Sequence, residues 1–321
     1  MPQPREIVFE RAGAAVALGP GMSRIACCFL LISSLAAAQP APVVGGSKVP
    51  TGAWPDVAAV IAEAGTCSGT LVAPDVVLTA GHCIDIAPYE VVLASTDYAR
   101  GGERIAVKAA RAFPAWWDRF DAGVLILERA ARTPPRLVAS ACTANALLKN
   151  GTPLRIVGFG ATTPAGDDRN TRLYEATIPI LDAYCETDES CGEAARPKGE
   201  FTAGGRGTDS CFGDSGGPAF VDTPAGPALV GVVSRGLDVP GQPCGNGGVY
   251  VRADKLISWI QSVTSRQLTR TSCDGPRDAA EPVEEGGCMA APGTAGGAWA
   301  TASLLWVLAR ARNRRRGGSR P

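Results

Sequence analysis

Between residues 43 and 265 the chain alternates short aliphatic and β-branched runs with clusters of Gly, Pro, Asp and Ser. The runs read GTLVAPDVVLTAG, YEVVLAST, RIAVKAA, AGVLILERA, PLRIVGFG, ALVGVVSRG and GGVYVRA. Short strands recurring between turn signals predict an all-β sandwich or barrel. One segment breaks the pattern. In residues 254–263, DKLISWIQSV, the side chains Leu256, Ile257, Trp259, Ile260 and Val263 fall at helical spacing, which predicts a closing helix.

Both ends of the chain depart from this alternation. From Met22, MSRIACCFLLISSLAAAQ has a basic start at Arg24, an apolar run from Ile25 to Ala37, and small residues at Ala36, Ala37 and Ala38. This is the pattern of a secretory signal peptide over 22–38, and the run is too short to span a bilayer. Residues 1–21 fit no signal-peptide n-region, so translation is expected to begin at Met22. Near the other end, SCDGPRDAAEPVEEGG is acidic and almost free of bulky apolar residues, the composition of a disordered linker. The linker is expected over 266–287. Cys288 follows, then an uncharged apolar stretch over 289–309, close to the ~20 residues a spanning helix needs. RARNRRRGGSR comes next, and arginines directly after a span favour a cytoplasmic C-terminus. Together, 288–321 resemble the bacterial MYXO-CTERM sorting tails. That resemblance implies a membrane anchor, a sorting protease as partner, and an extracellular or cell-surface location.

Composition narrows the chemistry. Hydrophobic residues make up 45% and charged ones 19%, so a sizeable core can be buried. Lys plus Arg equals Asp plus Glu at 31 each, and no nucleic-acid partner is expected. Eleven cysteines accompany a single histidine, which excludes a multi-His metal site. No C-x-x-C pair is present, which argues against a zinc ribbon. No metal and no cofactor are expected.

Three features then combine. In LTAGHC the only histidine, His82, closes a hydrophobic strand. In DRFDAGVLIL, Asp121 stands at the mouth of another. In DSCFGDSGGP, Ser215 sits among glycines. A serine hydroxyl is a poor nucleophile until a base takes its proton. Imidazole has a suitable pKa, and a buried carboxylate fixes its tautomer and steadies its cation. Glycines let backbone N–H groups converge on a developing oxyanion, here from Gly213 and Ser215. GDSGG also fits the nucleophile elbow of α/β-hydrolases, whose chain order is Ser, acid, His. The only histidine precedes Ser215, so that order cannot be built. The order His, Asp, Ser is that of the chymotrypsin template.

At this point residues 43–265 resemble the trypsin/chymotrypsin-like serine proteases. The resemblance rests on VVGGSKV from Val43, CSGTLVAPDVVLTAGHC, DAGVLIL, SCFGDSGGP, VVSRG, GGVYV and the SWI helix. It implies two six-stranded antiparallel β-barrels with a C-terminal helix. It implies a secreted or surface-anchored endopeptidase acting on proteins and peptides, with His82, Asp121 and Ser215 as the triad. Asp209 falls at the floor of the substrate pocket, implying cleavage after Arg or Lys. Ser210, Ser234, Gly236 and Gly248 match its walls. Val43 matches the freed N-terminus, whose ammonium pairs with Asp214. Residues 39–42, QPAP, form a short propeptide without Arg or Lys at the junction. The activating peptidase is therefore expected to be an X-Pro dipeptidyl aminopeptidase rather than a trypsin-like enzyme.

The resemblance also implies disulfides Cys67–Cys83 and Cys211–Cys244. Cys185 matches one member of a third pair, but Thr202 stands where its partner belongs, and Cys191 is close enough to substitute. Cys142 pairs with Cys273 by the same reading. Two departures bear on specificity. Arg235 replaces the usual Trp, which would turn P2–P4 preference toward acidic residues. Gly247 replaces the usual Pro, which would loosen the pocket wall. A catalytically inactive binding module or a surface adhesin on the same fold stands as the alternative.

Overall fold

The computed structural model describes residues 43–185, 191, 198–237 and 239–273. The expected signal peptide, the propeptide and everything from 274 onward lie outside the described residues. Among the described residues no helix is long and apolar enough to cross a membrane.

The first half of the domain is a closed barrel of six antiparallel strands. Strand β1 (Ser47–Lys48) lies outside it. The barrel strands are β2 (Val57–Ala62), β3 (Gly65–Ala73), β4 (Val76–Thr79), β5 (Pro88–Leu93), β6 (Glu103–Ala112) and β7 (Gly123–Leu127). They run round the barrel in the order β2, β3, β4, β7, β6, β5. Closure leaves no unpaired edge, and the interior is filled by Ala58, Val60, Leu71, Val77, Val91 and Leu125. Small and branched aliphatic side chains fill it because a small barrel has little room inside.

The second half repeats the plan. Its strands are β8 (Pro153–Gly158), β9 (Tyr174–Asp182), β10 (Glu200–Ala203), β11 (Pro218–Thr223), β12 (Gly226–Gly236) and β13 (Gly248–Arg252). The order β9, β10, β13, β12, β11, β8 is closed by the β8–β9 pairing, and β1 adds to β9 from outside. Along β9 the side chains Tyr174, Ala176, Ile178 and Ile180 alternate inward, the period-two burial of a half-buried strand. Two six-stranded antiparallel barrels are thus the fold that the sequence implied.

A third apolar cluster joins the two halves, with Val76, Val92 and Val124 from one side and Phe220, Leu229 and Val251 from the other. Trp54 and Phe220 stack with ring centroids 4.8 Å apart. The Arg136 guanidinium lies over both rings and is held by Asp56. A four-residue helix, α1 (His82–Asp85), joins β4 to β5 within the first barrel, and α2 (Ala141–Leu147) lies in the connector between the barrels. The closing helix α3 (Ile257–Thr264) buries Ile257 and Ile260 and sets Trp259 against Phe113. It begins later than the apolar spacing predicts, because Ala253–Lys255 wind as a 3-10 turn first.

The described chain after α3 packs on the domain past Ser265 as far as Cys273. Leu268 is buried, the Val138 N–H donates to the Thr269 carbonyl at 2.9 Å, and the Thr271 N–H donates to the Val138 carbonyl at 3.0 Å. Arg266 makes two bonds to Asp75, at 2.8 and 2.7 Å. The polar composition of this stretch hid a strap whose backbone hydrogen bonds, rather than its side chains, hold it down. Among the described residues four disulfides are present: Cys67–Cys83, Cys142–Cys273, Cys185–Cys191 and Cys211–Cys244.

Candidate active site

The meeting of His82 and Asp121 follows from strand register. Strands β4 and β7 are antiparallel neighbours with Thr79 opposite Gly123. His82 lies just past the end of β4 and Asp121 just before the start of β7, so the two fall side by side. The Cys67–Cys83 disulfide pins the turn after His82 to β3. Gly81 leaves the space they need, since a Cβ there would lie 2.7 Å from the Trp116 side chain and 3.1 Å from Asp121 Oδ1.

Asp121 is buried and accepts three hydrogen bonds. The His82 N–H donates to Oδ1 at 3.0 Å, the His82 ring lies with Nδ1 2.8 Å from Oδ2, and the Ser234 hydroxyl donates to Oδ2 at 2.8 Å. Burial alone would raise its pKa, but the bonds from His82 and Ser234 outweigh burial and hold it below the ordinary carboxylate value. An ionised acceptor on Nδ1 puts the ring proton there and leaves Nε2 as the free base.

Ser215 arrives from the second barrel on the turn before β11. Its carbonyl accepts from the Ser68 N–H at 2.9 Å and lies 3.6 Å from Cys83 Sγ, next to His82. The turn abuts the first barrel so closely that a Cβ on Gly216 would fall 2.1 Å from Thr79 Oγ1, and its φ is +78°. The Ser215 hydroxyl makes no hydrogen bond to the imidazole among the described residues; such bonds often tighten only when substrate is bound. In this turn the N–H groups of Asp214, Gly216 and Gly217 are tied to carbonyls, whereas those of Gly213 and Ser215 make no bond among the described residues.

Ser68 was not singled out by the sequence reading, yet it spans the two barrels. Its hydroxyl donates to the Gly213 carbonyl at 2.9 Å and accepts from the Phe159 N–H at 3.1 Å. The CSGT quartet on which β3 carries it was visible, but nothing local marks the serine as a bridge.

Two further acids lie beneath the nucleophile turn. Asp209 is 1% exposed; it accepts from the Ser210 N–H at 2.7 Å and the Gly247 N–H at 2.9 Å. Burial pushes its pKa up to about 6 despite these bonds. Gly248 faces it, with a Cβ there falling 3.4 Å from Asp209 Oδ1. Ser210 Oγ lies 3.4 Å from the same carboxylate, and a Cβ on Gly236 would meet only the Pro243 carbonyl within 4 Å. Asp214 accepts from the Gly160 N–H at 2.8 Å and the Cys211 N–H at 2.9 Å. Complete burial pushes it to about 7, with Asp209 and Asp168 adding repulsion. Val43 is buried in the second barrel's core, and the Val44 carbonyl accepts from the Asp209 N–H at 2.9 Å. Val43 makes no hydrogen bond to Asp214 among the described residues.

Two expectations are revised, and one matched residue gains a second contact. Ser234, matched to the pocket wall, also donates its hydroxyl to Asp121. Gly247 does not loosen the wall: its N–H binds Asp209, a bond that a proline lacking N–H could not make. Arg235 offers no unpaired cation to substrate, because both of its terminal nitrogens bond the fully buried Glu200 at 3.0 Å.

With this geometry in view, comparison with known proteins is informative. The family model for trypsin matches residues 43–260. Glucanase inhibitor protein 3 of Phytophthora infestans is 32% identical over 239 residues, covering 69% of this chain and 88% of that protein. Serine protease 56 of Mus musculus is 32% identical over 253 residues, covering 70% of this chain but only 39% of that protein. Chymotrypsin-like elastase family member 1 of Bos taurus is 31% identical over 243 residues, covering 69% and 89% respectively.

Proposed function

The chain belongs to the trypsin family, and from that premise we propose that it is a serine endopeptidase cleaving proteins and peptides after Arg or Lys. The observation that carries the reading is the 2.8 Å His82–Asp121 bond lying against the turn that bears Ser215. In this reading Nε2 of His82 takes the Ser215 proton as Oγ bonds to the scissile carbonyl carbon, and the carbonyl electron pair moves onto oxygen. The N–H groups of Gly213 and Ser215 receive that oxyanion, each donor being worth about 3–4 kcal/mol of barrier. The imidazolium then protonates the leaving amine as the C–N bond breaks, and water repeats the sequence on the acyl-enzyme.

Asp209 reads the substrate. Its charge is disfavoured while it has only hydrogen-bond donors around it, and a P1 guanidinium or ammonium supplies the missing opposite charge. Asp214 is served in the same way by the ammonium of Val43 once residues 39–42 are removed. Secretion behind 22–38 and retention at the surface through 288–321 complete the proposal. Measuring kcat/KM on substrates with Arg, Phe and Ala at P1 tests the specificity; faster turnover of Phe would sink it. N-terminal sequencing of the active protein tests the activation, which requires a start at Val43.

A second reading is favoured by one observation: the Phytophthora infestans relative is named an inhibitor protein. A non-hydrolysing binding module or adhesin would not be labelled at Ser215 by a serine-reactive phosphonate, whereas the protease would.

A further inference from the structure

The Arg235–Glu200 pair has no part in the reaction as written, yet it touches the catalytic acid through one hydroxyl. Arg235 Nη1 donates to Ser234 Oγ at 3.3 Å, and Ser234 Oγ donates to Asp121 Oδ2 at 2.8 Å. We propose that Arg235 is a positioning residue for Asp121, acting through Ser234, and that it does not bind substrate. The proposal rests on the serine-protease reading above.

A serine hydroxyl has a single proton and can rotate. Accepting from a guanidinium fixes its lone pairs and commits that proton to Asp121. The neighbouring positive charge also polarises the O–H, which strengthens the bond it donates. Arg235 can do this only if it is itself held, and a bidentate guanidinium–carboxylate fork is the geometry that holds it. Glu200 lies on β10 and Arg235 on β12, the two strands that flank β13. Their side chains therefore meet across β13, on a frame of three hydrogen-bonded strands. Glu200 holds both terminal nitrogens of the guanidinium from a fully buried site, so the cation is turned toward the sheet. A Trp at this position, as the family resemblance has it, would supply neither the fork nor the cation.

The test is steady-state kinetics of the full chain in its phosphonate-reactive form, with active sites counted by that label. Two substrates are used: a single-residue Arg ester, and an Arg amide extended to P4 with acidic residues. Arg235→Gln is expected to lower kcat about 5–20-fold on both, with KM moving less than about twofold, as loss of one network bond implies. Arg235→Lys, which keeps the charge without the fork, recovers part of the loss. Because Gln removes the guanidinium from a fully buried carboxylate, which can compromise folding, the double variant E200Q/R235Q removes both charges together. It is expected to show the same loss of kcat per labelled site. An unchanged kcat per site in both variants would overturn the proposal. So would a change confined to KM for the acidic peptide, since that makes Arg235 a substrate-binding cation. Absence of labelling in the unsubstituted chain would overturn the protease reading instead.

Discussion

The first barrel meets the charge of its buried acids with side chains, whereas the second leaves Asp209 and Asp214 mainly to backbone amides. Asp121 has His82 and Ser234, Glu103 has Arg129, and Asp56 has Arg136. Asp121 and Glu103 both sit below the ordinary carboxylate value, although burial pulls each of them up. Among the described residues Asp209 and Asp214 have no cation beside them, and they sit at about 6 and about 7. Donors alone do not repay the removal of a full charge from water. The first barrel is electrostatically complete as folded. In the second, Glu200 and Asp254 are likewise met by Arg235 and Arg252, and under the proposed function Asp209 and Asp214 would receive their cations from a substrate and from Val43.

That contrast can be broken at several points. The largest effect is expected at the completed pair: Asp121→Asn should lower kcat about 10⁴-fold, because it favours the wrong imidazole tautomer; burst and steady-state kinetics on an Arg ester would measure it. Next is the waiting pocket. Asp209→Asn should lower kcat/KM for Arg substrates about 10²–10³-fold, the scale of removing one partner from a buried charge pair, while Phe substrates lose little.

The third test separates the two states of Asp214. Its folded pKa of about 7 lies above the ordinary aspartate value of 3.8, so the folded state binds the proton more tightly. This group's contribution to stability is therefore fully present below about pH 4 and is lost as pH rises through about 7, by up to about 4 kcal/mol. In protein still carrying residues 39–42, Asp214→Asn should raise Tm at pH 8 and flatten its fall between pH 5 and 8. In protein beginning at Val43 the same change should lower Tm and abolish activity. Equal Tm shifts in the two forms, followed by calorimetry, would contradict the difference between the barrels. The smallest effect is at the seam. Ser68→Ala should destabilise by about 1–3 kcal/mol, through the Phe159 N–H and Gly213 carbonyl left without it, with a modest fall in kcat.

Much of this was legible in the chain. The strand runs, the SWI helix and the order His82, Asp121, Ser215 are local patterns, and local patterns are what periodicity and turn chemistry report. The Arg235–Glu200 fork was not legible, because its partners sit far apart in sequence and meet only across β13. Arg235 taken alone therefore read as a cation offered to substrate. Ser68 was missed for the same reason, since its partners Phe159 and Gly213 belong to the other barrel. The strap over 266–273 was missed because it is held by main-chain bonds to Val138 and by Cys142–Cys273, which hydropathy does not register.

That strap also decides how the domain would bear tension. Cys273 is the last described residue of the strap, and a pull applied there enters the covalent network at once. The Cys142–Cys273 bond passes the load directly into α2, in the connector between the barrels. A load applied at Cys273 can therefore reach the connector without depending on the strap's hydrogen bonds alone, so long as that one bond stays closed.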